Sequence, residues 1–207
     1  MRILIADDHA IVRMGLIELL REDFPALEVF QAENSQQTID LLKKHTMNLI
    51  LLDISMPGRN GIDILKHIRD LGIKTPVLML SMHPEEQYAI RALKAGASGF
   101  VNKQSATEEL LVAIHKILSG KKYISVSVAE KLAESTDHGA KPAHELLSDR
   151  EMQVLQKIAS GKTVSQIAEE IFLSVNTIST YRTRLLEKLG LKNNAELTRY
   201  AMDNGLI

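Results

Sequence analysis

The chain of 207 residues carries 25 basic and 26 acidic side chains, a formal net charge of −1, 45% hydrophobic residues and no cysteine. That composition is enough to build two small cores; it excludes disulfides and thiolate metal centres, and it leaves any nucleic-acid contact to a local basic surface rather than to bulk charge. No apolar run is long enough to span a bilayer, and Met1-Arg2-Ile3-Leu4 passes into a short strand pattern before a signal-length segment develops, so no membrane association and a cytoplasmic location are expected.

From residue 2 to about 119, short aliphatic runs alternate with amphipathic stretches, the signature of βα units on a parallel sheet. The runs predict strands over 2–6, 27–32, 48–53, 76–81 and 98–101, and apolar residues at three- and four-residue spacing predict helices over 10–22, 35–45, 61–71, 84–95 and 105–119. Ser105 with Glu108 reads as a capping box opening the last of these helices. Five strands and five helices match a flavodoxin-like count. Two of the strands end in acids: Ile3-Leu4-Ile5-Ala6 runs into Asp7-Asp8, and Leu49-Ile50-Leu51-Leu52 into Asp53, ahead of the turn Met56-Pro57-Gly58. In a parallel sheet the carboxyl ends share one edge, so three carboxylates crowd one spot. Such a cluster calls for a cation, and hard oxygen ligands suit Mg²⁺. Lys103, after the fifth strand, and Ser81, ending the fourth, reach the same edge with an ammonium and a hydroxyl.

A short helix is expected near 126–134, and residues 135–146 collect Gly, Pro and polar groups and read as a linker. Beyond Leu147 no strand pattern returns. Ser148 with Glu151 and Thr163 with Gln166 form two more capping boxes, Ser174 is an N-cap, and Gly161 and Gly190 sit where helices stop, dividing the segment into four helices. Only Phe172-Leu173-Ser174 separates the middle pair, which is helix-turn-helix spacing. If 175–189 is helical, Ile178, Tyr181, Leu185 and Leu189 form an inward stripe, while Asn176, Ser179, Thr180, Thr183 and Arg184 face outward and Arg182, Lys188 and Lys192 flank them. Asn can read adenine, Arg guanine and Thr the thymine methyl, while the flanking cations suit phosphates. The last helix, near 194–204, shows Ala195, Leu197, Ala201 and Met202 as apolar positions, in part more than a small three-helix core needs.

The order Asp7-Asp8, Asp53-Ile54-Ser55-Met56-Pro57-Gly58, Met79-Leu80-Ser81, Gly96-Ala97-Ser98-Gly99-Phe100 and Lys103 resembles the receiver domain of two-component response regulators. Leu147-Ser148-Asp149-Arg150-Glu151, Ile167-Ala168-Glu169-Glu170-Ile171, Ser174-Val175-Asn176-Thr177-Ile178 and Glu187-Lys188-Leu189-Gly190 are similar to the LuxR-type DNA-binding domain. Together they resemble the NarL/FixJ family of transcription regulators. The resemblance implies a receiver over 1–120, a short helix and linker over 121–146, and an all-α helix-turn-helix domain over 147–207.

It also implies roles. Asp53 would take a phosphoryl group from a partner histidine kinase; Asp7, Asp8, Asp53 and the Ser55 carbonyl would hold Mg²⁺; Lys103 and Ser81 would steady phosphoryl oxygens, with Phe100 turning inward as Ser81 moves. Phosphorylation would promote a homodimer on double-stranded DNA, with RNA polymerase a further partner. The chain would be a regulator rather than an enzyme, since an aspartyl phosphatase needs a second acid two residues after the nucleophile, where this chain has Ser55. A receiver whose output is protein binding rather than DNA binding stays open at this point. Three departures from the family pattern are Met82, where many receivers have a small residue, Gln104, where many have Pro, and Ser179 or Thr183, where a recognition-helix lysine is common.

Overall fold

The computed structural model describes residues 1–56, 59–82, 85–104, 107–130 and 143–207. The turn residues Pro57 and Gly58, His83 and the capping Ser105 lie outside them, as does the 131–134 end of the expected short helix, which is helical over 126–130. The chain divides into two compact units, Met1–Glu134 and Ser135–Ile207, a division at the start of the stretch 135–146 read as linker.

In the first unit β1 (Arg2–Ala6), β2 (Glu28–Ala32), β3 (Leu49–Asp53), β4 (Val77–Ser81) and β5 (Gly99–Asn102) form one sheet in the order β2-β1-β3-β4-β5, every neighbour parallel. Helices α1 (Ala10–Asp23), α2 (Ser35–Lys44), α3 (Gly61–Asp70) and α4 (Glu85–Lys94) connect the strands, and α5 (Thr107–Leu118) follows the last of them. Successive side chains of a strand point to opposite faces, so each run of aliphatic residues feeds two cores at once. Ile3, Ile5, Leu49, Leu51, Leu78, Leu80 and Val101 pack with α1 and α5. Leu4, Ala6, Ile50, Leu52, Met79 and Phe100 pack with α2, α3 and α4. This is the doubly wound, flavodoxin-like fold, and strand order reverses between β1 and β3, which places a crevice at their carboxyl ends.

The second unit is all helical: α6 (Asp149–Ala159), α7 (Val164–Glu170), α8 (Val175–Leu189) and α9 (Asn194–Asp203) follow a 3₁₀ turn at Ala143–Leu146. Both expected capping boxes are present, Ser148 with Glu151 and Thr163 with Gln166, and Ser174 accepts the Thr177 N–H. Each cap satisfies amide groups that a helix start leaves open, an effect of about 1 kcal/mol. Gly190 closes α8 in the left-handed conformation. The turn between α7 and α8 is tight enough to hold Phe172 at φ 55°, with its ring exposed. The inward stripe is as expected: Ile178 and Leu185 are fully buried, and Tyr181 and Leu189 pack against the same core. Leu197 and Ala201 of α9 join that core, whereas Met202 is exposed.

Candidate functional site

Parallel pairing fixes where the strands end. Asp53 lies opposite Leu80 and Ser81 opposite Asn102, so the residues that finish β3 and β4 and those just past β1 and β5 meet at one edge. Asp7, Asp53 and Ser81 are each no more than 1% exposed. Lys103 reaches in from the end of β5, its Nζ 2.6 Å from Asp7 Oδ2 and 3.0 Å from Asp53 Oδ1, while its backbone N–H donates to the Ser81 carbonyl at 2.7 Å. Asp8 is partly exposed beside them. The structure thus brings together Asp7, Asp8, Asp53, Ser81 and Lys103; Ser55 lies two residues beyond β3, half-buried. Phe100 is already packed in the core on the α2–α4 face. Met82 stands half exposed after Ser81.

Both carboxylate oxygens of Asp53 are buried with no hydrogen-bond partner of standard geometry, and the Lys103 ammonium stands 3.0 Å from Oδ1 as an ion-pair partner. Burial pushes the Asp53 carboxyl above its ordinary pKa of 3.8; Lys103 opposes that push, the neighbouring Asp7 adds to it, and the Ser55 backbone pulls down. A buried acid with open lone pairs asks for a partner of positive charge. Donor atoms of Asp7, Asp8, His9 and Asp53 all lie within 4.8 Å of one another, a set that fits a small divalent cation.

Three residues of this site carry no obvious mark in the sequence. Arg13 occupies a core position of α1 with Ile17 and Leu20, yet its guanidinium donates to the Asp7 carbonyl at 2.6 Å and pairs with Glu33 at 2.5 Å, holding the β1–α1 turn. A charge at a buried helical position is the signal that finds it. Gly61 opens α3 so close to β3 that a Cβ there would stand 2.1 Å from the Asp53 carbonyl oxygen, and its N–H donates to the Ile54 carbonyl at 2.8 Å. Only a residue without a side chain lets the helix start against the end of the strand. His9, third in the run Asp7-Asp8-His9, holds the N-cap position of α1, and Asp8 does not cap that helix.

On α8, Asn176, Ser179, Thr180, Thr183 and Arg184 are all exposed, as expected. The Thr180 and Thr183 hydroxyls donate to the carbonyls of Asn176 and Ser179, which leaves the methyl groups as their free contact. Arg182 is engaged with Asn194 at 2.5 Å. Lys188 differs from the reading as a simple flanking cation: its Nζ donates to Glu151 Oε2 at 2.7 Å, and the same oxygen accepts the Ser148 N–H at 2.7 Å. Glu151 is buried, and although desolvation would raise its pKa, the Lys188 and Ser148 hydrogen bonds hold it below the ordinary 4.5. One carboxylate therefore ties the end of α8 to the start of α6.

The response regulator receiver domain matches residues 3–115, more than half of the chain, and the luxR family of bacterial regulatory proteins matches 145–201. The chain belongs to the NarL/FixJ family of response regulators. The response regulator UvrY of Escherichia coli (strain K12) is 31% identical over 99% of this chain and 94% of its own length. Fimbriae Z protein of Salmonella typhimurium (strain LT2) is 35% identical, covering 99% of this chain and 98% of that one. The structure of RcsB from Salmonella enterica serovar Typhimurium, bound to promoter rprA in the presence of the phosphomimetic BeF3-, is 29% identical with a TM-score of 0.66 and covers 97% of this response regulator and 98% of RcsB. This response regulator is accordingly a transcription regulator that joins a phosphorylation-controlled receiver to a DNA-binding helix-turn-helix unit. Among its described residues no helix is long and apolar enough to cross a membrane.

Proposed function

We propose that Asp53 is the phosphoacceptor of this regulator, and that its phosphorylation by a partner histidine kinase in the cytoplasm promotes dimerisation and sequence-specific binding of double-stranded DNA. The observation that carries this reading is the buried Asp53 carboxylate whose oxygens make no hydrogen bond, beside the one ammonium it shares with Asp7. An Asp53 oxygen attacks phosphorus, the bond from phosphorus to the donor imidazole breaks, and the imidazole leaves with a proton. The transition state is loose and charge-rich, so the protein positions groups and neutralises oxygens. Asp7, Asp8, Asp53 and the Ser55 carbonyl would hold Mg²⁺, which would supply positive charge to the phosphoryl oxygens. Lys103 shifts its ammonium from the two acids to the phosphoryl group, and Ser81 offers its hydroxyl. Phe100, buried from the outset, then carries the change of packing into β5 and α4.

The receiver occupies 1–120, the connector 121–146 and the DNA-binding domain 147–207. Asn176, Ser179, Thr180, Thr183 and Arg184 face the major groove; Lys192 and Arg182 meet phosphates, and Lys188, paired with Glu151, adds less to that contact. Two copies on paired half-sites gain affinity through linkage, α9 contributing Met202 and Ala195 to the pair. RNA polymerase is a further partner. The chain acts as a regulator and not as an enzyme turning over an external substrate, in keeping with Ser55 at the place where an aspartyl phosphatase needs its second acid. Light scattering with Mg²⁺, before and after a small-molecule phosphodonor, tests the reading: mass doubles for the wild type and stays monomeric for Asp53→Asn. Doubling in both proteins would remove Asp53 from the switch.

A further inference from the structure

Residue 9 sits where Ser, Thr, Asp or Asn commonly start a helix, but the His9 side chain makes no capping hydrogen bond to α1. Its ring is largely solvent-exposed and turns toward the acids instead. Nδ1 stands 2.9 Å from Asp8 Oδ1 and 3.3 Å from Asp7 Oδ1, while the His9 N–H donates to that same Asp7 oxygen at 2.8 Å. Asp7 is thereby divided: Oδ2 faces the Lys103 ammonium and Oδ1 faces His9. On the His9 side three donor atoms from consecutive residues converge with Asp53, whose buried oxygens make no hydrogen bond.

We propose that His9 is a metal ligand of this receiver, and that its imidazole nitrogen strengthens the binding of borderline ions such as Ni²⁺ at this site while adding little to the binding of Mg²⁺. The inference rests on the reading of the acidic cluster as a cation site. An all-oxygen set suits Mg²⁺, Ca²⁺ and Mn²⁺, whereas an imidazole nitrogen suits Ni²⁺, Zn²⁺ and Fe²⁺, whose affinity for mixed nitrogen and oxygen sites also rises along the divalent series. Nδ1 gives its lone pair to the ion in place of a proton; Nε2 stays free to bond water and fix the tautomer.

Pulsed electron paramagnetic resonance of the full chain with Mn²⁺ tests this directly. The wild type is expected to show bound Mn²⁺ with imidazole nitrogen modulation, which His9→Gln and His9→Ala abolish while both stay folded by circular dichroism, and which His67→Ala leaves intact. Calorimetry is expected to show that His9→Gln lowers Ni²⁺ affinity about tenfold and changes Mg²⁺ affinity less than about twofold. Bound Mn²⁺ without nitrogen modulation overturns the role of His9 and leaves the acidic site standing. No bound Mn²⁺ overturns both.

Discussion

The two units place their working residues in opposite environments. In the receiver, Asp7, Asp53, Ser81 and Lys103 are buried and hold one another at the sheet edge. On α8, Asn176, Ser179, Thr180, Thr183 and Arg184 stand in solvent on a helix whose other side is the core. A buried charged group is expensive to leave unpaired, so each receiver residue constrains the next, and altering one disturbs the whole site. Exposed groups bear little on folding, so their loss should appear in binding alone.

That contrast can be broken most severely at Asp53. Asp53→Asn should abolish acylphosphate, read by intact mass after treatment with phosphodonor, with circular dichroism unchanged; a variant that still gains the mass of a phosphoryl group would move the acceptor elsewhere. Next is Gly61→Ala, which sets a Cβ against the Asp53 carbonyl. Overpacking of this kind costs about 1–3 kcal/mol, and the thermal midpoint and the phosphorylation rate should fall together; a change in neither would mean that α3 can back away from β3 at no cost.

On the DNA-binding side the expected effects are smaller and separable. Arg184→Ala should lose about 1–3 kcal/mol of affinity for the cognate site with no loss of stability, measured by anisotropy and thermal melting. An Arg184 variant that binds and discriminates as before is not short of a base contact. Glu151→Gln sharpens the comparison because Glu151 is a buried charge in a unit whose DNA-facing residues are exposed. Its carboxyl is held below 4.5 when folded, so it contributes stability that is fully present above that pH and is lost as pH falls through the depressed folded value. The variant should lose about 1–2 kcal/mol near neutrality, the partly exposed Lys188 partner limiting the cost, and its acid unfolding limb should be flatter; an identical limb would assign acid sensitivity to other carboxylates. Smallest of all, Lys192→Ala should lower the salt slope of DNA binding by about one, while Lys188→Ala, already committed to Glu151, should change it less.

Much of this was legible without coordinates because it is written in local periodicity. The aliphatic runs locate all five strands to within about one residue of their observed bounds, most cleanly β3 and β4, which are buried at every position. Capping boxes at Ser148 and Thr163 mark helix starts through short-range hydrogen bonds that need no tertiary partner. Strand ends in Asp7-Asp8 and Asp53 point to the site for the same reason. Arg13 and Gly61 were not legible: each depends on what another segment does, the first on the Asp7 carbonyl and on Glu33 just after β2, the second on how near α3 begins to β3. Lys188 reads as a free surface cation until α8 is laid beside α6.

By itself, then, the sequence determined the elements, their order, the two-part architecture and the chemical kinds of group at the receiver edge, because these follow from the 2.0 and 3.6 residue periods and from caps acting over three or four residues. Tertiary structure alone decided which oxygens Lys103 spans, that Asp53 is left without hydrogen bonds, that His9 turns to the acids rather than to its helix, and that Glu151 captures Lys188. Each of those is a distance between residues far apart in sequence or a choice among competing partners, and burial settles such choices by making an unpaired charge cost more than the entropy of holding two side chains together.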